Sequence, residues 1–372
     1  MHSRQFEEQP HHHLTICLDT KHAGHDTILT NYVYGIDVDG RIQNMKTVNW
    51  GILSTGTIAK KFADTLNHLP DSGKLTAVAS RSEDGAKQFA SEYNILKAYS
   101  SYYDLACDPE IDVIYIATPH SMHYENAKLC LENGKHVLCE KSFTVNAAQA
   151  AELFALAKEK KLFIMEAFWT KFLPAYQLLA KTLAEKTIGD ITHFRAQYGF
   201  APTGARYIRK FDPQLAGGTL LDIGVYAIGV AAMLLGYTPR ELHSSALLGE
   251  YGTDTFNSIM LAYDQGTTAH LITAIGSIIE PQAVIFGTKG HIVLPNFTAL
   301  TAYQVAIDNE ATYTVNAPFL YNGFEYQIKE TEQCLLNGLQ ESSIMTHQNT
   351  LDVLSLMDKA RASWGLTYPS ER

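Results

Sequence analysis

The strongest constraint in this chain is the stretch from Val48 to Ala63. An apolar run, Val48 to Leu53, breaks at Ser54-Thr55-Gly56. It gives way to Thr57-Ile58-Ala59-Lys60-Lys61-Phe62-Ala63, which reads as the opening of a helix. A strand, a tight turn and a helix start bring backbone N–H groups and the positive end of a helix dipole to one point, where a dinucleotide's pyrophosphate can sit. The usual spacing for such a turn is G-x-G-x-x-G/A. Here Ser54 stands at the first position, Gly56 at the second, where the backbone must approach the phosphates, and Ala59 at the third, where a small residue lets helix and strand pack. Ser54, Thr55, Gly56, Thr57 and Ile58 are therefore candidate cofactor contacts. Taken alone, any strand–turn–helix of an α/β protein would look similar.

The chain has 372 residues, enough for two domains with substantial cores. A formal net charge of −10 argues against nucleic acid as a partner, which would need clustered basic residues. The five cysteines, Cys17, Cys107, Cys130, Cys139 and Cys334, form no C-x-x-C pair, which favours a reduced, cytoplasmic setting and argues against zinc. No run looks long and apolar enough for a membrane span, so no membrane association is expected. Residues 1–44 carry a histidine triplet and little periodicity, without the pattern of a secretory signal. Met45 is a natural start, and 1–44 is expected to be an extension outside the fold, with any metal binding by the triplet adventitious.

From residue 45 to 167 the pattern alternates between strand and helix. A second strand, 75–79, ends at Ser80-Arg81-Ser82, close to where an adenosine ribose would lie. An acid there would favour NAD, whereas an arginine accommodates a 2′-phosphate. Ser80 and Arg81 therefore point to NADP, with NAD the alternative and a merely solvated arginine the bland one. Residues 112–117 read as a strand buried on both faces, followed by the loop Thr118-Pro119-His120-Ser121-Met122-His123. The next strand, 135–139, runs into Glu140-Lys141-Ser142, a helix spans 147–160, and a last strand covers 162–165.

The stretch ATPHSMHYENAKLCLENGKHVLCEKSFTVNA, residues 117–147, resembles the glucose–fructose oxidoreductase/inositol dehydrogenase (Gfo/Idh/MocA) family of nicotinamide-dependent enzymes. The family's Glu-Lys-Pro at the end of the fifth strand is matched by Glu140-Lys141-Ser142, with the proline replaced. MEAFWTKFLPA (165–175) and AGGTLLDIGVYAI (216–228) are similar to the dihydrodiol dehydrogenase branch. The likeness extends over 45–372. It implies an α/β fold in two parts: an N-terminal Rossmann doubly wound parallel sheet (45–167), and a C-terminal α+β domain (168–372) with a large open, mainly antiparallel sheet that serves substrate binding and oligomerisation. The last helix is expected to return to the first domain. The sheet's outer face implies a homodimer or larger homo-oligomer.

Alternating segments after residue 191 agree with several antiparallel strands, with Asp264-Gln265-Gly266 as a hairpin turn. A helix of about 219–235 interrupts them. Asp222 and Tyr226 lie four residues apart on it, so they share a face. In the resembling family this helix carries Asp-x-x-x-His or Asp-x-x-x-Tyr facing the nicotinamide. Oxidising an alcohol by hydride transfer needs a base for the hydroxyl proton. A tyrosine suits only if a cation stabilises its phenolate, and Lys141 is placed to supply one. Asp222 would orient substrate hydroxyls or the lysine. Singly, each has a duller explanation: a solvated lysine, a core tyrosine, a helix-start aspartate. Jointly, Lys141, Tyr226 and Asp222 are the catalytic candidates. Thr118, Pro119, Glu140, His123 and Trp169 are candidates beside the cofactor, and Arg206 and Arg209 are lesser ones.

The expected function is an NADP-dependent (or NAD-dependent) oxidoreductase acting on a CH–OH group of a sugar or vicinal diol. The replacements at Ser54 and Ser142 leave open a non-catalytic nucleotide-binding paralogue with a regulatory role.

Overall fold

The computed structural model describes residues 47–371. The expectations for residues 1–44 and for Met45 as the start lie outside the described residues.

Six strands, β1 (Asn49–Leu53), β2 (Lys74–Ala79), β3 (Lys97–Tyr99), β4 (Val113–Ile116), β5 (His136–Glu140) and β6 (Ile164–Ala167), form a parallel sheet. Its order is β3-β2-β1-β4-β5-β6. Helices α1 (Thr57–Asn67), α2 (Glu83–Tyr93), α3 (Tyr102–Cys107), α4 (His123–Glu132) and α5 (Ala147–Lys160) connect the strands. Parallel pairing requires such crossovers. It also buries both sheet faces, which is why β4 is apolar at all four positions. The order reverses between β1 and β4, and ligands of such sheets bind outside the strands' carboxyl ends at this point. The short strand β3 was not expected from the sequence, because three half-buried or exposed residues give no periodicity.

After α6 (Pro174–Ala184) the chain builds an eight-stranded sheet in the order β14-β13-β12-β11-β7-β10-β9-β8. Its strands are β7 (Ile191–Phe200), β8 (Glu241–Leu248), β9 (Asp254–Ala262), β10 (Thr268–Ile275), β11 (Ile279–Gly287), β12 (Gly290–Pro295), β13 (Ala302–Ile307) and β14 (Tyr313–Asn316). Alternate residues face the core, such as Phe194 and Ala196 on β7, Ile259 and Leu261 on β9, and Ala283 and Ile285 on β11. Every pairing is antiparallel except β7 with β10, which runs parallel from Thr268↔His193 to Ile275↔Phe200. That exception arises because the chain leaves β7 through α7 (Ala205–Phe211) and α8 (Val225–Leu235) before returning.

Helix α8 lies against β7 and β10, and the closing helix α10 (His347–Trp364), which follows α9 (Glu325–Leu336), packs on α5, α8 and β8. The approach of α8 to residue 168 is tight: a Cβ on Gly229 would stand 2.6 Å from the Phe168 ring. One expectation is corrected here. The helical stretch Pro213–Leu235 is long and apolar enough to cross a membrane by length and composition. Its apolar character has a local cause, because 78% of its most apolar window is buried between the sheet and neighbouring helices.

Candidate active site

The turn after β1 keeps the geometry of the missing glycine. Ser54 has φ 102°, a region that side chains rarely adopt, and its N–H donates to the Ala79 carbonyl at 2.9 Å. Its hydroxyl compensates in part by accepting from the Gly56 N–H at 3.2 Å. Gly56 caps α1 without a side-chain cap, and the first turn carries no acid. A Cβ at Gly56 would meet only the Ser54 hydroxyl, at 3.5 Å. The Ser54–Ile58 turn is thus an open cradle of N–H groups at a helix start, which fits a pyrophosphate. At the end of β2, Ser80 donates its N–H to the Tyr99 carbonyl, and Arg81 is exposed just beyond it. Both stand at the carboxyl end of β2, beside the turn after β1.

Three separate segments converge past the carboxyl ends of β5 and β6. Lys141 follows β5 directly. Its ammonium donates to the Asp222 carbonyl at 2.6 Å, lies 3.6 Å from the Asp222 carboxylate and sits 4.9 Å from the Tyr226 ring centroid. The helix carrying Asp222 is not a plain α-helix: Leu220–Gly224 form a π-turn leading into α8. The widened turn presents both the carbonyl and the carboxylate of Asp222 to Lys141, and such π-turns recur at functional sites. Tyr226 sits in the first turn of α8, and its hydroxyl accepts from the Trp169 indole N–H at 3.1 Å. Trp169 comes from a short 3-10 turn after β6.

The electrostatics follow from burial in a ring of charges. Burial would raise the Asp222 carboxyl, but Lys141 and Lys210 together hold it well below the usual carboxylate range. Burial would lower Lys141, but Tyr226, Asp222 and Glu140 hold it above its ordinary value. Tyr226 is pushed up to about 12 by burial, with Lys141 opposing the rise. The lysine therefore moderates the phenol and does not by itself bring it near neutrality. Glu140 is buried beneath, accepts a hydrogen bond from Tyr115 and is raised by burial.

Other candidates divide. His123 is fully buried, its two ring nitrogens facing the carbonyls of Ser142 and Thr118, both at 2.8 Å. It ties the loop after β4 to the loop that carries Lys141, and packing accounts for it. The Thr118 hydroxyl accepts from Asn126, and Pro119 opens the 3-10 turn His120–Met122. Ser142, at the replaced proline, follows a cis peptide bond and donates its hydroxyl to the Leu221 carbonyl at 2.9 Å. Arg209 is exposed on α7, and the Arg206 side chain lies outside the described residues.

Two residues at the site were not singled out from the sequence. Lys210 donates to the Asp222 carboxylate from the end of α7. It adjoins Arg209, so the basic cluster was visible, but not which member reaches inward. His120 lies with a ring nitrogen 3.2 Å from the Ala216 carbonyl, and burial, with Lys141 and His123, pushes it down to about 3, leaving it neutral beside Lys141 and Asp222. Its signal was its place in the loop after β4, three residues before His123.

The profile of the oxidoreductase family with an NAD-binding Rossmann fold matches residues 48–168, and that of the GFO/IDH/MocA C-terminal domain matches residues 176–293. The chain belongs to the GFO/IDH/MocA family, and it is an NAD(P)-binding oxidoreductase. Among its relatives, trans-1,2-dihydrobenzene-1,2-diol dehydrogenase of Xenopus tropicalis is 38% identical over 328 residues, spanning 86% of this chain and 99% of that protein. The Mus musculus protein of the same name is 35% identical over 335 residues, spanning 87% and 99%. A 3-ketoreductase from Actinomadura kijaniata, solved with NADP and TDP-benzene, superposes with a TM-score of 0.77 at 27% identity, over 85% of this chain and 98% of that one. The aldose-aldose oxidoreductase from Caulobacter crescentus, complexed with glycerol, shares the fold with a TM-score of 0.77 at 21% identity, over 86% and 99%.

Proposed function

We propose that this chain is an NADP-dependent dehydrogenase, with NAD the alternative cofactor, acting on a CH–OH group of a vicinal diol or sugar. The observation that carries the reading is the convergence of Lys141, Asp222 and Tyr226 at the carboxyl end of the parallel sheet. The diol dehydrogenase relatives support a vicinal diol, and Arg81 supports NADP. When bound, the nicotinamide supplies the hydride chemistry.

The Ser54–Ile58 turn and the start of α1 hold the pyrophosphate, while Ser80 and Arg81 receive the 2′-phosphate. Lys141, kept charged by its anionic neighbours, donates a hydrogen bond to the substrate oxygen. Tyr226 exchanges a proton with that oxygen: its high pKa suits donation to a carbonyl, and Lys141 lowers the cost of the phenolate when the alcohol is oxidised. Asp222 fixes the lysine between its carbonyl and its carboxylate, with Lys210 steadying the second oxygen.

The test is an assay of NADP and NAD reduction across vicinal diols and sugars. Tyr226→Phe should lower kcat by roughly 10²–10⁴-fold with cofactor affinity little changed. Normal turnover in that variant would remove Tyr226 from proton transfer, and an inert wild type would favour a nucleotide-binding paralogue.

We also propose a homodimer through the outer face of the eight-stranded sheet. Exposed Leu247 on β8 and Met260 on β9, which share the face turned away from the core, support this. Light scattering decides it: the dimer mass is expected, and a monomer at all concentrations would refute it.

A further inference from the structure

Lys61 stands one turn into α1, on the side facing the second sheet's loops. Its ammonium is 4.1 Å from the Trp169 ring centroid and 4.1 Å from that of Phe324. These two rings meet edge to face, 5.3 Å apart. Among the described residues Lys61 forms no ion pair. Its neighbour Lys60 turns outward to Glu92, and the two carboxylates whose charge acts on Lys61 are hydrogen-bonded to other groups. Glu140, on β5, accepts from Tyr115, and Glu325, on α9, accepts from the backbone N–H groups of Tyr321, Asn322 and Gly323. The faces of both rings attract the half-buried ammonium through their quadrupoles, alongside the fields of Glu140 and Glu325. One of these faces belongs to the indole whose N–H donates to the Tyr226 hydroxyl.

We propose that Lys61 is a positioning residue for the reaction, acting through Trp169: its charge polarises the indole so that the N–H becomes a stronger donor to Tyr226 and favours the phenolate. This rests on the assignment of proton transfer to Tyr226. A cation over a ring withdraws electron density from it, and hydrogen bonds polarise one another along a chain. The Phe324 ring faces the same ammonium and narrows its access to water.

Burial lowers Lys61 to about 8, against Glu140 and Glu325, so the charge is present at neutral pH and fades above it. The groups that face this pathway are Glu140 from β5, Glu325 from α9, and Lys141 and Asp222 around Tyr226. Lys141 is held above its ordinary value and Asp222 below its own, so neither titrates near pH 8.

The experiment uses the full chain loaded with NADP. The Trp169 indole N–H, assigned among the three tryptophans with Trp169→Phe, is followed by nitrogen–proton correlation NMR between about pH 6 and 10. Its resonance should titrate near 8 in the wild type and stay flat in Lys61→Met. In alcohol oxidation, Lys61→Met should lower kcat/KM severalfold below about pH 8, and the deficit should vanish at higher pH, where the wild type has itself lost the Lys61 charge. Lys61→Arg should restore the rate. Trp169→Phe should give the same deficit at low pH, and the double variant no more than either single one. An indole resonance that ignores pH, or that titrates equally in Lys61→Met, overturns the proposal, as does a loss of rate in Lys61→Met that is equal at every pH. A Tyr226→Phe enzyme with normal turnover overturns the proton-transfer assignment instead, so the two failures are distinct.

Discussion

Replacing Asp254 with asparagine should stabilise the chain at neutral pH and do little near pH 4. Asp254 is fully buried below the π-turn. One carboxylate oxygen accepts from the Leu220 N–H at 2.8 Å and from Asn257 at 2.9 Å, and among the described residues the other has no hydrogen-bond partner. Burial pushes the carboxyl up from 3.8 to about 6, only partly offset by those donors. A carboxyl raised in the folded state gives its full stability below its unfolded value and loses it as pH rises through the folded one. The loss therefore falls between about pH 4 and 7. A shift of about two units at about 1.4 kcal/mol per unit amounts to roughly 3 kcal/mol. Asparagine is never charged, and its oxygen can keep both accepted bonds. With an unfolding entropy of about 2 cal/mol/K per residue, a unit of roughly 325 residues changes Tm by about 4 °C for 3 kcal/mol. Thermal unfolding of both proteins at pH 4 and pH 7 should show the variant gaining about that much at the higher pH. An equal difference at the two pH values would refute the reasoning.

Three further outcomes follow from the site. Ser54→Gly should be stabilising by up to about 1 kcal/mol in denaturant melts, because relief of a positive φ outweighs the lost hydroxyl contact and glycine's greater unfolded-state freedom; clear destabilisation would contradict the strain at Ser54. Arg81→Ala should weaken NADP binding about 10–100-fold in fluorescence titrations and leave NAD nearly unchanged, since a charge-assisted phosphate contact is worth about 1.5–3 kcal/mol. Lys210→Met should move the acid limb of the activity profile to higher pH, because Asp222 then loses one of the two cations that hold it low.

Much of the fold was legible because its signals are local. The Ser54–Ala59 turn, the apolar β4 and the helix Ala147–Lys160 each follow from spacing and burial within one segment. The Glu140-Lys141 step and the Asp222–Tyr226 pair marked two segments of the site. What escaped depends on long-range packing. The parallel pairing of β7 with β10 is decided by a crossover of more than sixty residues, not by alternation in either strand. The π-turn at Leu220–Gly224 changes how Asp222 is presented, yet nothing in a four-residue spacing distinguishes it from an α-helix. Lys210 was one of several basic residues on α7, and only the tertiary fold shows that it reaches the carboxylate. The apolar stretch Pro213–Leu235 was underestimated because its glycines and Asp222 interrupt the run in sequence but not in helical structure.

The central claim is that an ammonium and a phenol from different parts of the chain close on one substrate oxygen. A crystal structure with NADP and a bound vicinal diol measures this directly. One diol oxygen should lie within hydrogen-bond distance, about 2.6–3.2 Å, of both Lys141 Nζ and Tyr226 Oη, with its carbon facing the nicotinamide. A diol held with its reacting oxygen against other groups, and neither Lys141 nor Tyr226 in contact, would contradict the account.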